Sequence, residues 1–536
     1  MHVQSGTPAI DLFGALSLMA DMALGLTAGH GARATYIAMR IAGELGLPED
    51  ERADLFYAGL LTDAGCTAWA SQAAAAILGN DIDARRQLFF FTDPADPRDM
   101  LKWLTQYLAA GERAGVRIRH AIKFAMHGRE FMYEGLQNTS EAAARFARRL
   151  DRSARVQDAL RCAFERWNGS GPEGRRGDAI PLISRITYAA IFLEVFHAAD
   201  GRSAAVALAE TRRGKDIDPA VAARFLQLAK DEAFWRALES DSIWTLVRQM
   251  EPESPFRYFD VAKLDDAAHA FGDFADLKSF YSAGHSRRVA ALAESVALAM
   301  GLGGDSITTV RRAALLHDIG LAAVPSFVLH KREDRLSEAE TEMMRLHPYH
   351  AERILSRAPV FTPLCRIVAA HHERPDGTGY FRGLPESAIP NGARIVSVAD
   401  RFDELTHAAP ERDARSAEEA LELMNRERGA AFSENALAAL RQAIEIGTSD
   451  APAGDAWSDG VGARPSVQSR WPAGLTDREI DVMRALATGA SRSAIAAKLC
   501  VSEHTIRHHL EHIYAKIDAR TRVEATLFAI EHGLLA

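Results

Sequence analysis

Cysteine is scarce and scattered. Cys66, Cys162, Cys365 and Cys500 are the only four in 536 residues, and no two form a Cys-x-x-Cys pair. This argues against a zinc ribbon or a disulfide framework and favours a reducing compartment. Excess positive charge is missing too. Against 63 Lys and Arg stand 72 Asp and Glu, a net charge of −9. Bulk electrostatics therefore give no reason to expect nucleic-acid binding, and any DNA contact must come from a local surface. No window holds about 18 uninterrupted apolar residues, the length a membrane span needs. No basic region precedes an apolar run at the start, and the apolar stretch Ile10–Thr27 is broken by Asp11 and Asp21. The expectation is a cytoplasmic protein without signal peptide or membrane contact. Alternating, strand-like runs are few as well.

What is present reads as helix. Apolar residues recur at three- and four-residue steps, and Ala and Leu abound, so the expected fold class is all-α. Apolar residues make up 48% and charged residues 25%, the profile of an ordinary globular chain with about three domains. Between Ile446 and Gly474 the periodicity gives way to Gly, Pro, Ser, Ala and Asp, as in a flexible linker. A softer break lies at Pro252 and Pro255. The chain also repeats itself. Ala28-Gly29-His30 matches Ala283-Gly284-His285, and Leu60-Leu61-Thr62-Asp63 matches Leu315-Leu316-His317-Asp318, both 255 positions on. Glu165 to Gly171 parallels Glu373 to Gly379 at an offset of 208. A constant offset across separated matches indicates a duplicated domain.

The second copy concentrates metal-ligand chemistry. His285, His317, Asp318, His347, His371, His372 and Asp400 fall at intervals that helices could bring to one point. Imidazole and carboxylate without thiolate suit iron or manganese. Seven ligands are too many for one tetrahedral ion and about right for two divalent ions bridged by a carboxylate, a pair able to activate water against a phosphodiester.

His317-Asp318-Ile319-Gly320, the run from His371 to Tyr380 and Val398-Ala399-Asp400 resemble the HD-GYP family, HD-superfamily phosphohydrolases that hydrolyse cyclic di-GMP. The resemblance spans roughly Asp276 to Arg441. It implies that His317 and Asp318 are central to catalysis, with Asp318 bridging the ions. It further implies that Arg374, Asp376, Gly377, Gly379, Tyr380 and Arg412 meet the substrate. Departures are visible. Leu321 stands where the family usually has a phosphate-binding lysine, Phe381 replaces the signature proline, and Tyr281 replaces a ligand of a third metal. Two metals are therefore expected, not three. In the first copy His30 and Asp63 survive. Thr62, about Thr139, Ala163-Phe164 and Ile191 replace the other ligands, which implies a degenerate HD-like domain: a sensory pseudo-domain, or a packing and dimerisation scaffold.

From Leu475 onward the signals for four short helices are dense. Thr476-x-x-Glu479 and Thr521-x-x-Glu524 read as capping boxes, and Ser491 and Ser502 as caps of the second and third helices. With Leu475-Thr476-Asp477-Arg478-Glu479, Ile495-Ala496 and Thr505-Ile506-Arg507, these residues resemble the LuxR-type DNA-binding domain. The resemblance puts the third helix in the major groove and a dimer contact on the fourth. The expected DNA-binding set is Lys498, Ser502, His504, Thr505, Arg507, His508, Glu511 and Lys516. Eight basic residues against eight acidic ones from Trp471 to Ala536 leave the domain no strongly basic face, so a monomer should bind weakly.

The resulting expectation has four parts: a degenerate HD-like domain (1–255), an HD-GYP-like phosphohydrolase domain (256–446), a linker (447–470) and a LuxR-type domain (471–536). The chain would be a homodimeric regulator that binds a DNA operator and hydrolyses a cyclic dinucleotide, cyclic di-GMP by resemblance. A non-catalytic sensor of nucleotide or metal, or a hydrolase of another phosphorylated nucleotide, stays open.

Overall fold

Local sequence signals and helix positions agree along most of the chain. The computed structural model describes residues 6–92, 96–254, 257–410, 412–449 and 471–535. Among them the secondary structure is helical, as expected, apart from one two-residue antiparallel pair, Thr7–Pro8 with Tyr258–Phe259, and isolated bridges. Two compact units are formed, Met1–Ser279 with Asp318–Cys365, and Phe280–His317 with Arg366–Ala536.

In the first unit the apolar run near the start becomes the helix Ala9–Ala23, buried along almost its whole length. Its aspartates are structural. The Asp21 carboxylate accepts from the backbone N–H groups of Gly29 (2.7 Å) and Gly31 (3.0 Å), at the start of the helix His30–Leu45, where a negative charge is favoured. Asp11 pairs with Arg248 at 3.1 Å. The helix Leu182–Asp200 is long and apolar enough to cross a membrane by length and composition alone, but two-thirds of its apolar window is buried inside the protein. It packs against His30–Leu45 as a core helix.

The second unit contains the helices His285–Ala299, Gly304–Leu316 and Asn391–Thr406, followed by Glu434–Ser449. This last helix runs three residues past the expected boundary at 446. The rest of the expected linker, 450–470, lies outside the described residues.

The four C-terminal helices are Asp477–Ala487, Arg492–Lys498, Glu503–Ile517 and Arg522–Glu531. Thr476 and Thr521 form complete capping boxes, and Ser491 and Ser502 accept from the N3 backbone N–H. Each such cap contributes about 1 kcal/mol. Ile480, Met483, Leu486, Ile495, Ile506, Leu510, Ile513 and Ile517 make one buried core.

The duplication extends to backbone detail. Gly29 and Gly284 both sit at left-handed φ (86° and 75°) directly before their histidines. Gly65 and Gly320 are both pressed against the chain. A Cβ there would lie 1.9 Å from the carbonyl oxygen of Thr139 or His347, respectively. Glu165 and Glu373 each accept two backbone N–H bonds from the loop that follows.

Candidate functional site

Four histidines of the second copy are anchored through Nδ1. His317, His347 and His371 each face the carbonyl oxygen three residues earlier, of Ala314 (2.7 Å), Met344 (2.6 Å) and Val368 (2.6 Å). His285 Nδ1 meets the Asp403 carboxylate at 2.8 Å. A nitrogen facing a carbonyl oxygen must donate, so the lone pair in the three carbonyl-anchored rings resides on Nε2. Such anchoring fixes tautomer and ring direction in metal-binding histidines.

The opposite nitrogens converge. His285 Nε2 and His317 Nε2 stand 3.3 Å apart, and Asp400 Oδ1 lies 3.2 Å from the first and 3.5 Å from the second. The ligand atoms of His317, His371 and Asp400 all fall within 4.8 Å of one another. Lone pairs and a carboxylate oxygen at these separations repel unless a cation or proton lies among them, and an all-nitrogen-and-oxygen donor set suits a first-row divalent metal. Burial would raise the Asp400 pKa, but His285 and His317, when protonated in the absence of metal, outweigh it and hold the carboxyl well below its ordinary range.

In the first unit Asp318 Oδ1 and His347 Nε2 form a pair at 3.3 Å. Gly320 makes this pairing possible, because any larger residue would push the His347 backbone away. A single peptide bond joins His317 to Asp318.

The helices His285–Ala299 and Asn391–Thr406 present matched pairs three residues apart, one helical face on each. Asp403 holds the Arg288 guanidinium with both oxygens, at 2.8 and 3.0 Å, besides its bond to His285. Burial acts to raise the Asp403 pKa, but His285 and Arg288 bring it down to about 2. Sequence reasoning missed Asp403 and Arg288, although the repeat carries their signal. At the first copy's offsets, Glu194 binds both His30 and Arg33, as Asp403 binds His285 and Arg288.

Beyond the pair His371-His372 the loop folds around Glu373, whose buried carboxylate accepts from Arg382 N and Leu384 N, both at 2.8 Å. Tyr380 stacks on His372, centroids 4.7 Å apart. Gly379 is required by space, since a Cβ would fall 2.3 Å from Arg374 N. Asp376 accepts from Thr378 N and Oγ1, fixing the exposed turn at Gly377. Arg374 reaches Glu427 at 3.4 Å. Arg412, expected at the substrate, is held by backbone carbonyls. Its guanidinium bonds the carbonyls of Glu404, Leu405 and His407 at the end of the helix Asn391–Thr406, where a cation offsets the helix dipole.

The first copy keeps His30 and Asp63, with Nε2 and Oδ2 3.7 Å apart. Thr62 and Thr139 turn their hydroxyls to their own helices, donating to Ala58 and Gly135 carbonyls, and Ile191 is buried in the core. Among the described residues no group of three ligands occurs in this copy.

On the third helix of the C-terminal domain, His504, Arg507, His508 and Glu511 are exposed together, as are Lys498 and Ser502. Arg507 Nε donates to Glu511 at 2.9 Å, and the Ser502 and Thr505 hydroxyls meet at 2.8 Å. Lys516, also expected at the DNA, is engaged within its own domain. Its ammonium binds Glu479 at 2.7 Å and the Gly474 carbonyl at 3.0 Å, tying this helix to the first capping box.

Comparison with known proteins agrees with these features. The HD domain family model matches residues 270–435, and the model of bacterial regulatory proteins of the luxR family matches residues 473–529. A 3'3'-cGAMP-specific phosphodiesterase 3 of Vibrio cholerae is 32% identical over 444 residues, 83% of this chain and 96% of that protein. A cyclic di-GMP phosphodiesterase of Thermotoga maritima is 40% identical over 138 residues, 25% of this chain and 37% of that protein. The crystal structure of a cyclic GMP-AMP-specific phosphodiesterase of Vibrio cholerae superimposes with a TM-score of 0.58 at 30% identity, covering 82% of this chain and 99% of that one. Similarity at 32% identity along 83% of the chain, with the HD and luxR family matches, makes this chain a member of the HD-GYP family of HD-domain phosphohydrolases, joined to a luxR-type regulatory domain.

Proposed function

We propose that the chain is a cytoplasmic transcription regulator that hydrolyses a 3′,5′-phosphodiester bond of a 3'3'-linked cyclic dinucleotide at a two-metal centre. The observation that carries this reading is the set of Nδ1-anchored histidines meeting Asp400. Cyclic GMP-AMP is the preferred substrate over cyclic di-GMP, because the relative matched along 83% of the chain is named for it. His285, His317, Asp318, His347, His371, His372 and Asp400 would hold two divalent ions, iron or manganese. When bound, such ions supply Lewis acidity to the phosphodiester and lower the pKa of water.

The chain's own residues do the rest. Asp403 and Arg288 keep the His285 ring from turning. Tyr380, stacked on His372, and the loop Arg374 to Gly379 form the wall against which the dinucleotide lies. Leu321 offers no charge-assisted contact to phosphate, so the site leans on the ions for anion binding. A second reading, a nucleotide sensor without turnover, draws support from this same leucine. The domain boundaries 1–255, 256–446 and 471–536, and a homodimer docking its third C-terminal helices on an operator, belong to the proposal. The test is turnover of cyclic GMP-AMP and cyclic di-GMP by the full-length protein with Mn²⁺ or Fe²⁺, followed by chromatography of the linear products. Linear dinucleotide from wild type but not from His317→Ala/Asp318→Ala supports hydrolysis. Tight binding without product would instead establish the sensor.

A further inference from the structure

The helix Glu503–Ile517 carries histidines at 504, 508 and 512, one turn apart on its exposed side. Two of them are already paired. His504 Nε2 and His508 Nε2 lie 3.2 Å apart, with ring centroids 4.6 Å apart. The remaining nitrogen of His508, Nδ1, faces Glu511 Oε2 at 3.6 Å. The other oxygen of that carboxylate accepts from Arg507 at 2.9 Å. A carboxylate thus lies behind His508, on the side from which such groups orient metal-binding histidines. Imidazole nitrogens bind zinc-like ions at about 2.05 Å. At that bond length a 3.2 Å nitrogen–nitrogen separation subtends about 103° at the ion. The angle lies between the octahedral and tetrahedral values, so an ion fits between the two rings as they stand. His512 is set apart, its ring centroid 6.4 Å from that of His508.

We propose that His504 and His508 form a binding site for a divalent first-row transition-metal ion of the zinc or nickel class, the ions imidazole favours, with water filling the remaining positions. This site is separate from the proposed phosphodiesterase centre and does not rest on it. It lies on the stripe that also bears Arg507 and Glu511, so an ion held there occupies the edge this helix would offer to bases.

The test uses full-length protein stripped with EDTA and titrated with Ni²⁺ by calorimetry in the His317→Ala/Asp318→Ala background, which removes ligands of the other centre. One ion should bind. Adding His504→Asn or His508→Asn should weaken that binding at least tenfold, while His512→Asn should leave it unchanged. All three side chains are exposed, and circular dichroism confirms that the helices persist. Unchanged Ni²⁺ binding in both His504→Asn and His508→Asn overturns the proposal, and so does a loss in His512→Asn equal to theirs.

Discussion

Asp403 acts through His285. Its two oxygens hold the His285 ring and the Arg288 guanidinium, 118 and 115 residues away in sequence. Asp403→Asn keeps the shape and removes the charge, and the expected result is a 10–100-fold loss of metal affinity, read by titrating stripped protein with Mn²⁺. Lys278 is a different case. It is fully buried, its ammonium has no hydrogen-bond partner, and burial pushes its pKa down to about 8, with partial compensation from Asp81. The folded pKa lies below the unfolded value, so the folded state binds fewer protons between about pH 8 and 10.5. Stability from this group is therefore present above that window and lost as pH falls through it. Asp81 retains Arg85 at 3.5 Å, so Lys278→Met leaves no orphaned carboxylate. The substitution should stabilise the protein by about 1–3 kcal/mol at pH 7. Thermal unfolding should show this gain shrinking at pH 10.5.

Among elements, the turn after each His/Thr-Asp pair depends on close backbone approach. Gly320 touches the helix that begins at His347, and Gly65 touches Thr139. Neither contact leaves room for a methyl group, so Gly65→Ala and Gly320→Ala should each cost about 3 kcal/mol or more, beyond ordinary overpacking. Their effects on chemistry should differ. Gly320→Ala shifts His347 and should lower metal content, whereas Gly65→Ala shifts a threonine and should leave metal content per folded chain intact. Melting curves combined with metal analysis separate the two outcomes. The C-terminal helices show the opposite situation. Their caps, Thr476, Ser491, Ser502 and Thr521, act within three residues, so sequence alone located all four helix starts.

At the scale of the whole molecule, the duplicated copies have diverged in chemistry while sharing a frame. His30, Arg33 and Glu194 reproduce the contacts of His285, Arg288 and Asp403, but only the second copy has the convergent nitrogens. Asp63→Ala should therefore leave both metal content and turnover unchanged, as measured on purified full-length protein, and a lost ion would show that the first copy is a working site. The regulatory reading carries its own expectation. Cyclic dinucleotide should change operator affinity of the intact chain but not of residues 471–536 alone. Arg507→Ala should weaken operator binding by about 1–3 kcal/mol, the range for a good base contact. Gel-shift titrations with and without nucleotide measure both effects.

The amino-acid sequence by itself determined the all-helical class, the repeat, the metal-ligand types and the helix starts of the C-terminal domain. These depend on periodicity, on side-chain chemistry and on caps that bond within one turn, all of which are written along the chain. Tertiary structure decided which charges work together. Asp403 with His285, Glu373 with the loop around Arg382, and Lys516 with Glu479 are pairs whose members lie 9 to 118 residues apart. Arg412 bonds the Leu405 and His407 carbonyls, partners that no spacing in the sequence announces. The choice of partner for a long charged side chain is set by the three-dimensional packing of helices, which decides which oxygens come within its reach. No local preference of the chain encodes that choice.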